Sequence, residues 1–494
     1  MTAAAESAIR TIGVAGAGIV GLSAAIAFAR ALPRTKVTIV ALPPDPSALA
    51  DRMPTSLPAI HRFHAAIGLD ELELVRTGAA VHRLGTRFEG WSADGAPWIH
   101  AFGDYGEAAG TAAFHHLWAR ARKAGRAGPY HLYSAAAVLA AAGKFVHPAQ
   151  DPSSPLSTFL YGLSLDPVRY RGRLEARADS LKIERAQGDL AGVELGPEGA
   201  VAAILLADGR RVEADLYLDC AGPSAPLLSA LDSRFEDWSE SLPCDRLLLG
   251  AEIPGNLDAQ PLDTVSAAPP GWLWRVPLPG GALRALCYSA ATPEADAHVL
   301  FADRAGVREA ESLSIRPGRR PEPWVRNVLA LGDASVALDP LHGAGLHLAQ
   351  MAILRALDLL PGRDCHPVEL REYVRLTGQE TIRVRDFLAL HYLRSGRTEG
   401  AFWQFASRGQ APDTLAHTLK QFESRGRLPF YEEESFTLHS WTAVMHGMGI
   451  LPEAVDPVAA GVDADDAAAA MRRLAARLAE LPARLPAYRD YLER

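Results

Sequence analysis

The sequence predicts an α/β protein with a Rossmann-like nucleotide-binding domain, an inserted β-sheet region and a mostly helical C-terminal part. Two observations predict this class: an apolar run, a glycine-rich turn and an alanine-rich run follow one another near the N-terminus, and helix-forming residues dominate from about Leu346 onward. We expect a nucleotide-binding domain over residues 1–350, with a sheet interleaved at about 60–320, and a helical capping region over 351–494.

The N-terminal elements are predicted from their hydrophobic patterns. Ile12–Ala15 is a short apolar run that predicts a buried strand, and Leu22–Ala31 is alanine-rich and predicts a helix. Lys36–Val40 alternates β-branched residues and predicts a second strand. Further along, Val193–Leu218 predicts hairpin-like strands with a turn at Asp208-Gly209, and Asp465–Leu481 predicts an amphipathic helix.

The turn between the first strand and the first helix has the pattern G-x-G-x-x-G. Its first glycine permits a tight turn, the second lets the backbone approach a pyrophosphate, and the third lets helix and strand pack closely. The N–H groups and the partial positive charge of the helix N-terminus favour phosphate at the same place. The residues predicted to bind the cofactor here are Gly16, Ala17, Gly18, Val20 and Gly21.

The acidic residue that usually binds the ribose is missing from this unit. Ala41 stands where the second strand ends, about 20 residues beyond the glycines. Asp45 is the nearest carboxylate; it can reach the ribose through a loop, or it is a solvated turn residue. No basic residue marks a 2′-phosphate site, so the turn favours FAD or NAD over NADP.

A second glycine-containing segment points to a flavin. Val328–Leu331 predicts a buried strand that ends in Gly332-Asp333, and the segment from Asp339 to Gly345 predicts the start of a helix. The carboxylate can accept a hydrogen bond from a ribityl hydroxyl, and the helix N-terminus can face the flavin ring where negative charge gathers on reduction. We therefore predict FAD, bound also by Gly332, Asp333, Gly343, Ala344 and Gly345. Taken alone, Asp333 is equally explained as a helix N-cap.

Composition excludes several classes of function. Hydrophobic residues make up 48% and charged residues 22% of 494 residues, and the net charge of -8 argues against nucleic acid or an anionic membrane as partner. The N-terminus has no signal-peptide pattern, and Ile19 to Leu32 is too short to span a bilayer, so we expect a cytoplasmic protein. The four cysteines are far apart and indicate neither a metal site nor a disulfide framework.

Several further segments together carry a family resemblance. They are Leu218-Asp219-Cys220-Ala221-Gly222, Trp272-Leu273-Trp274-Arg275-Val276-Pro277, Trp324–Asn327, Arg385-Asp386-Phe387, His391-Tyr392, Phe402-Trp403, Trp441 and Gly447–Pro452. With the glycine turn and the Gly-Asp segment, they resemble the flavin-dependent tryptophan halogenase family, within the FAD-dependent halogenase and monooxygenase superfamily, over essentially the whole chain. The Trp-x-Trp-x-Ile-Pro pattern is the most distinctive of the set.

The resemblance implies two-component chemistry. A separate flavin reductase supplies reduced FAD, O2 gives a flavin C4a-hydroperoxide, and halide attacks it to form hypohalous acid, which reaches a lysine beside an indole- or phenol-like substrate. It also implies a homodimer. The residues expected to line the substrate pocket are Trp272, Trp274, Phe387, His391, Phe402 and Trp403. From the strand pattern alone, the two tryptophans at 272 and 274 are either walls of a cavity or core aromatics.

Two expected catalytic residues of the family are replaced. Arginine, Arg83, stands at the lysine position of the segment Arg83–Phe88, and His342 follows Pro340-Leu341 where the family has glutamate. Arginine stays protonated and does not readily form a haloamine, but it can donate hydrogen bonds; otherwise it is a surface or ion-paired residue. Histidine can act as acid or base near neutral pH, or it is a helix N-terminal residue without chemistry.

Two loops also depart from the family. Gly343-Ala344-Gly345 replaces a Ser-Thr-Gly, and Met53-Pro54-Thr55-Ser56 replaces the Gly-Glu-Ala-Thr that clamps flavin. Three functions therefore stay open: a halogenase with Arg83 in place of lysine, a flavin monooxygenase that hydroxylates an aromatic ring, and a catalytically impaired flavin-binding partner protein.

Overall fold

The computed structural model describes residues 8–53, 55–92, 94–252 and 260–492. The chain forms two compact units, each assembled from three segments. The first consists of Met1–Ala80, Leu165–Ser239 and Leu313–Ile382, and the second of Val81–Ser164, Glu240–Ser312 and Arg383–Arg494. The domain boundaries predicted from the sequence stay predictions.

The strands are, in chain order, β1 Thr11–Ala15, β2 Lys36–Ala41, β3 Ala80–Arg83, β4 Gly85–Glu89, β5 Trp98–Ala101, β6 Gly162–Leu165, β7 Glu184–Gln187, β8 Leu190–Leu195, β9 Val201–Leu206, β10 Arg211–Val212, β11 Leu216–Asp219, β12 Glu236–Asp237, β13 Arg246–Glu252, β14 Leu262–Ala268, β15 Gly271–Leu278, β16 Gly281–Tyr288, β17 Glu311–Ser314, β18 Gly318–Arg319, β19 Trp324–Val325, β20 Val328–Ala330 and β21 Val336–Ala337.

The α-helices are α1 Ile19–Ala31, α2 Ile60–Ile67, α3 Glu71–Arg76, α4 Phe114–Lys123, α5 Ala135–Ala141, α6 Pro167–Ser180, α7 Pro226–Ser229, α8 Glu294–Ala305, α9 Ala344–Asp358, α10 Pro367–Leu393, α11 Gly400–Arg408, α12 Asp413–Arg425, α13 Leu438–Gly447, α14 Pro457–Ala460, α15 Ala464–Ala479 and α16 Tyr488–Leu492. Short 3-10 helices lie at Leu49–Asp51, Tyr130–Tyr133, Pro155–Ser157, Gly332–Ala334, Leu341–Gly343 and Leu481–Arg484.

The first unit is built on a six-stranded sheet of order β19-β20-β11-β1-β2-β7. β1 runs parallel to β2 and β11, and β11 runs parallel to β20, so the strands of both predicted cofactor segments lie in one sheet, separated only by β11. β1 and β2 confirm the predicted strands. The predicted helix is α1, which begins at Ile19 rather than Leu22 because residues of the glycine turn form its first turn.

The predicted hairpin region is confirmed in part. β8, β9 and β10 form an antiparallel sheet, with the turn at Asp208-Gly209 between β9 and β10. The last strand of the region, β11, instead pairs in parallel with β1, because its residues are mostly apolar and all four are buried in the central sheet.

The second unit contains a sheet with the strand order β13-β16-β15-β14-β4-β5. Its pairs are antiparallel except for β14 and β4, which run parallel. The predicted amphipathic helix is α15, which buries Ala467, Met471, Leu474 and Leu478 at helical spacing and begins at the N-cap Asp463. The predicted fold class, a parallel α/β sheet with an inserted sheet and a helical C-terminal part, is confirmed.

Two further predictions concern cysteines and membrane spans. All four cysteines are buried free thiols. Among the described residues, no helix combines the length and the apolar character needed to cross a bilayer.

Candidate active site

The glycine turn after β1 requires glycine at two of its positions. Gly16 has a φ of 104°, and a Cβ atom there would lie 2.5 Å from the carbonyl oxygen of Cys220. A Cβ atom on Gly21 would lie 2.1 Å from the carbonyl oxygen of Gly16. Both contacts are with backbone, which cannot move aside, so these residues fix the path of the chain into α1.

A carboxylate lies at the N-terminus of α1. Asp51 Oδ1 accepts a hydrogen bond from the backbone N–H of Val20, at 2.8 Å, and a Cβ atom built on Gly18 would lie 1.8 Å from Asp51 Oδ2. An anionic oxygen is thus held where the helix dipole favours negative charge and where the second glycine leaves room. The Asp51 carboxylate stands in for phosphate oxygens, so the residues of the turn fit the pyrophosphate of FAD.

The second predicted cofactor segment lies against the same loop. Asp333, in the 3-10 turn that follows β20, accepts a hydrogen bond from the backbone N–H of Ala50 through Oδ2, at 2.9 Å. Burial raises the pKa of Asp51 to about 6, although the Val20 N–H acts to lower it. Burial also raises the pKa of Asp333 to about 7, and the nearby Asp51 charge adds to this shift. The two carboxylates therefore bind a proton at higher pH than exposed carboxylates do.

The residues considered for the ribose lie at the end of β2. Ala41 is the last residue of that strand. Asp45 Oδ1 accepts a hydrogen bond from the backbone N–H of Ser47, at 2.8 Å, and its Cβ packs close to Gly222. Asp45 is therefore a turn residue, and its carboxylate stabilises the loop through the hydrogen bond from Ser47.

His342 has an unusual backbone conformation. It is buried, and its φ of 62° lies in the left-handed region, which few residues other than glycine adopt. Gly343 follows with a φ of 70°, and a Cβ atom there would lie 2.2 Å from Thr55 Oγ1. α9 then begins at Ala344. Strained backbone of this kind clusters at functional sites. Of the predicted flavin-clamp segment, Pro54 lies outside the described residues, and Thr55 and Ser56 are buried.

In the second unit, Arg83 is a fully buried, ion-paired residue at the end of β3. Its exposed fraction is 0%, and its Nε donates a hydrogen bond to Asp263 Oδ1 at 2.6 Å. Its Nη2 donates to the hydroxyl of Thr86 at 2.7 Å, and the guanidinium carbon lies 5.2 Å from the centre of the Phe102 ring. The arginine at the lysine position is thus held in one orientation by neighbours of fixed geometry.

Asp263 is the residue that the sequence analysis missed. Its Oδ2 accepts a hydrogen bond from Trp274 Nε1 at 2.8 Å, and the Thr86 hydroxyl lies 3.2 Å from both carboxylate oxygens. The one signal in the sequence is an acidic residue in the apolar stretch of β14, where Asp263 lies between Leu262 and Val265 on the buried part of the strand. The indole N–H group of Trp274 is therefore engaged by this carboxylate.

One buried histidine, His100, lies near the ion pair, and a second, His391, acts on His100. Burial, with the positive charge of Arg83 as the second cause, lowers the pKa of His100 to about 3. Burial lowers the pKa of His391 to about 4; its Nδ1 donates to the carbonyl oxygen of Phe387 at 2.8 Å. Both rings are therefore neutral at physiological pH and act as hydrogen-bonding, not charged, groups.

The predicted substrate residues form two aromatic groups that meet where the ring centres of Trp91 and His391 lie 6.1 Å apart. Phe387 stacks on Phe436 with ring centres 3.9 Å apart and contacts the ring of His391 at 5.3 Å. The other group surrounds Trp91, whose ring lies 6.2 Å from Trp272 and 5.2 Å from Trp403. In this second group the polar atoms have partners within the core: Trp272 Nε1 donates to Tyr392 Oη at 3.0 Å, Trp403 Nε1 donates to the carbonyl of Ala268 at 2.7 Å, and Phe402 packs edge-on against Trp403.

The structure thus connects some of the predicted residues directly. Arg83 and Trp274 meet through Asp263, while Phe387 and His391 contact each other. Trp272 contacts both Trp274 and Trp91, and Trp403 and Phe402 continue this group; their role in substrate binding stays a prediction.

Comparison with known proteins agrees with these features. The family model described as tryptophan halogenase matches residues 11–464. The chain is similar to the solved structure of BrvH, a flavin-dependent halogenase from Brevundimonas sp. BAL3, with 34% identity, a TM-score of 0.91 and coverage of 98% of this chain and 99% of that one. It is similar to Xcc4156, a flavin-dependent halogenase from Xanthomonas campestris, with 29% identity, a TM-score of 0.91 and coverage of 98% of each chain.

Among curated proteins, it is 25% identical to the tryptophan 7-halogenase KtzQ of Kutzneria sp. (strain 744), with 99% of each chain covered. A match of this extent, over both units and both predicted cofactor segments, shows that the chain belongs to the tryptophan halogenase family of flavin-dependent halogenases.

Proposed function

We propose that the protein is an FAD-dependent halogenase that transfers halogen to an electron-rich aromatic ring, indole- or phenol-like, with reduced flavin supplied by a separate reductase. The observation that carries the proposal is the match to flavin-dependent halogenases over both units, with a buried Arg83 at the position of the family lysine beside the ring of Phe102 and the neutral His100. A site of this composition excludes water and favours a planar, uncharged substrate.

The first unit supplies the flavin site in this proposal. The pyrophosphate is bound at the start of α1 by Gly16, Ala17, Gly18, Val20 and Gly21. The sugar portions are bound by Ala41, Gly332 and Asp333. The flavin ring is bound at the start of α9 by Gly343, Ala344 and Gly345. When bound, reduced FAD supplies, with O2, the oxidising equivalents that convert halide into an electrophilic halogen.

Arg83 acts as a hydrogen-bond donor to the hypohalous acid. A guanidinium stays protonated at all physiological pH values, so it lacks the free lone pair that a nitrogen–halogen bond requires. Its N–H groups can still polarise the oxygen of the acid and stabilise hydroxide as halogen leaves for the ring. The aromatic residues predicted for the substrate pocket, Trp274 and Phe387 foremost, then position the ring.

His342 is the acid–base residue in this proposal. It replaces the family glutamate, and its imidazole is held by a strained backbone conformation at the N-terminal end of α9. A neutral imidazole can act as a general base.

One observation favours a second candidate, hydroxylation without halogen. Because the Arg83 guanidinium is engaged by Asp263 and Thr86, the residue that carries halogen in the family has no counterpart with a removable proton. The oxidising equivalent would then pass to the ring as oxygen.

Mass spectrometry separates the two reactions. The protein is incubated with FAD, a flavin reductase, NADH, O2 and bromide, with a panel of indoles and phenols as substrates. Halogenation gives products with the bromine isotope doublet, only when bromide is present. Hydroxylation gives products heavier by one oxygen, with or without bromide.

Two variants sharpen the test. Arg83→Met removes the hydrogen-bond donors and should abolish halogenation; Arg83→Lys restores a removable proton and should keep or increase it. Absence of any product over the whole panel, from a protein that binds FAD tightly, contradicts both enzymatic functions and supports a non-catalytic flavoprotein.

A further inference from the structure

We propose that Asp263 is a positioning residue for Arg83: it fixes the orientation of the guanidinium and neutralises its charge, so that Arg83 donates hydrogen bonds without retaining halide. The inference rests on the proposed function of Arg83 but concerns a different residue and a property that can be measured without turnover.

The register of the sheet places Asp263 at this point. β14 runs parallel to β4, and in this pairing Asp263 stands opposite Thr86. The neighbouring strand β15 brings Trp274, which pairs with Val265, two positions from Asp263 and on the same face. Arg83 precedes β4 by two residues and is therefore within reach of the same carboxylate.

The contacts of the carboxylate leave Arg83 little freedom. One oxygen accepts from Arg83 Nε and the other from Trp274 Nε1, at 2.6 Å and 2.8 Å. Thr86 receives the Arg83 Nη2 hydrogen bond and lies 3.2 Å from both carboxylate oxygens, so it links the two ends of the pair. Arg83, Asp263, Thr86 and Trp274 thus form a charge-neutral network that holds the guanidinium in one orientation.

Neutralisation has a chemical consequence. An unpaired guanidinium in a dry pocket binds anions strongly, because Coulomb attraction is large where water is excluded. Bromide or chloride held there would occupy the position needed by the neutral hypohalous acid. Paired with Asp263, Arg83 keeps its directional N–H groups while its net attraction for an anion falls. The pairing with Asp263 therefore favours binding of a neutral, oxygen-containing ligand to Arg83 over binding of a halide ion.

Trp274 acquires a second role in addition to the positioning of the substrate ring. Its N–H group clamps the carboxylate oxygen that Arg83 Nε does not use, so it prevents Asp263 from rotating away. Replacing it by phenylalanine keeps an aromatic ring but removes that clamp.

Halide binding to the flavin-free protein tests the proposal. The variant Asp263→Asn keeps the shape of the side chain and one acceptor oxygen but removes its charge. We expect bromide affinity, measured from the line width of the bromide NMR signal, to rise by about tenfold or more, since one neutralising charge near a buried cation corresponds to at least about 1.4 kcal/mol. The matched control, Arg83→Met with Asp263→Asn, carries the same change without the guanidinium and should bind bromide no better than wild type.

Turnover gives an independent readout. If Asp263 positions Arg83, Asp263→Asn should lower kcat for halogenation, and excess bromide should inhibit the variant because bromide binds at Arg83 without reacting there. A merely structural role would lower kcat without making bromide inhibitory. Unchanged bromide affinity and unchanged kcat in a folded Asp263→Asn protein overturn the proposal.

A second variant tests the proposal in case Asp263→Asn does not fold. Trp274→Phe retains the ion pair and should shift bromide affinity in the same direction by a smaller factor, roughly threefold, because only one neutral hydrogen bond to the carboxylate is lost. No shift in Trp274→Phe, where Asp263→Asn does not fold, also overturns it. If wild type makes no halogenated product but Asp263→Asn still gains bromide affinity, the proposed function fails and the role of Asp263 stands.

Discussion

The glycine turn of the first unit and the Arg83 cluster of the second hold carboxylates in opposite ways. Asp51 and Asp333 accept hydrogen bonds from backbone N–H groups, of Val20 and Ala50. Asp263 instead accepts from the guanidinium of Arg83, which is itself buried. The first arrangement leaves the carboxylates with raised pKa values; the second balances each charge with another.

This difference indicates which of the two regions can exchange a carboxylate for a ligand. Backbone N–H groups bind any oxygen anion of suitable geometry, so a phosphate can replace Asp51 without leaving a buried charge behind. The partners of a buried ion pair cannot be exchanged so easily, because removing one leaves the other uncompensated. We therefore expect the glycine turn to respond to ligands and pH, and the Arg83 cluster to respond mainly to mutation.

The largest expected effect is loss of stability on breaking the ion pair. Asp263→Ala leaves Arg83 charged, buried and without this partner, so we expect it to destabilise the protein by about 3–5 kcal/mol. Urea unfolding followed by tryptophan fluorescence measures the change. The double variant Arg83→Met with Asp263→Leu should recover most of the loss, because apolar residues of similar volume replace the pair. A double variant as unstable as the single one would show that packing, not charge, dominates at this place.

A smaller effect is expected where the glycine turn is overpacked. In Gly21→Ala the new Cβ would meet the carbonyl oxygen of Gly16 at 2.1 Å, so the turn must open. We expect FAD affinity to fall by roughly tenfold to hundredfold, the equivalent of about 1–3 kcal/mol of overpacking. Flavin fluorescence titration measures it. Gly172→Ala, in α6, is the matched control, since a Cβ there meets nothing within 4 Å; equal losses in the two variants would contradict the role of Gly21.

The sequence predicted the cofactor region better than the Arg83 region, for a physical reason. The glycine turn, β1, α1 and β2 are contiguous, so local spacing alone identifies them. Arg83 and Trp274 were found through the family resemblance, but their link is Asp263, which lies 180 positions from Arg83 in the chain. Only the parallel pairing of β14 with β4 brings the two together, and register between distant strands is not visible in the sequence.

Asp51 was not predicted from the sequence, for a different reason. It lies in a short 3-10 helix of a loop, without a motif, and its position depends on how that loop folds against α1. The alternation in β15 correctly placed Trp272 and Trp274 on one face, yet it could not tell that their N–H groups are used by Tyr392 and Asp263. Pattern predicts the face on which a side chain lies, whereas its partners depend on tertiary packing.

Asp51 gives the third prediction, a gain of affinity. Its carboxylate lies at the place proposed for the FAD pyrophosphate, so like charges must separate when the cofactor binds. At about pH 8 we expect Asp51→Asn to bind FAD several-fold to about tenfold more tightly than wild type, because the competing negative charge is gone. Fluorescence titration measures the affinity, and Asp208→Asn, at an exposed turn, is the control.

The gain should depend on pH. Burial is the cause of the rise in the pKa of Asp51 to about 6, whereas the backbone N–H groups of Val20 and Ile19 and the charges of Arg171 and Arg52 act to lower it. Because this pKa is above the ordinary value of 3.8, proton binding stabilises the folded protein at low pH, and this contribution is lost as pH rises through about 6. Near about pH 5 wild-type Asp51 is mostly neutral, so the advantage of Asp51→Asn should largely disappear. An advantage independent of pH would contradict competition by charge.

The smallest expected effect is in the buried histidines of the second unit. The pKa of His100 is lowered to about 3 and that of His391 to about 4. Since both values lie below the ordinary value of 6.5, the stability that these neutral rings contribute is complete above about pH 6.5 and is lost only as pH falls toward 4. Their imidazole NMR signals should therefore not move between about pH 8 and about pH 5.5, a range in which Asp51 takes up protons. The variants His100→Gln and His391→Gln assign the signals. A midpoint above about pH 6 for either ring would mean that the cluster gains charge under the same conditions as the glycine turn, and the contrast between an exchangeable and a fixed charge network would no longer hold.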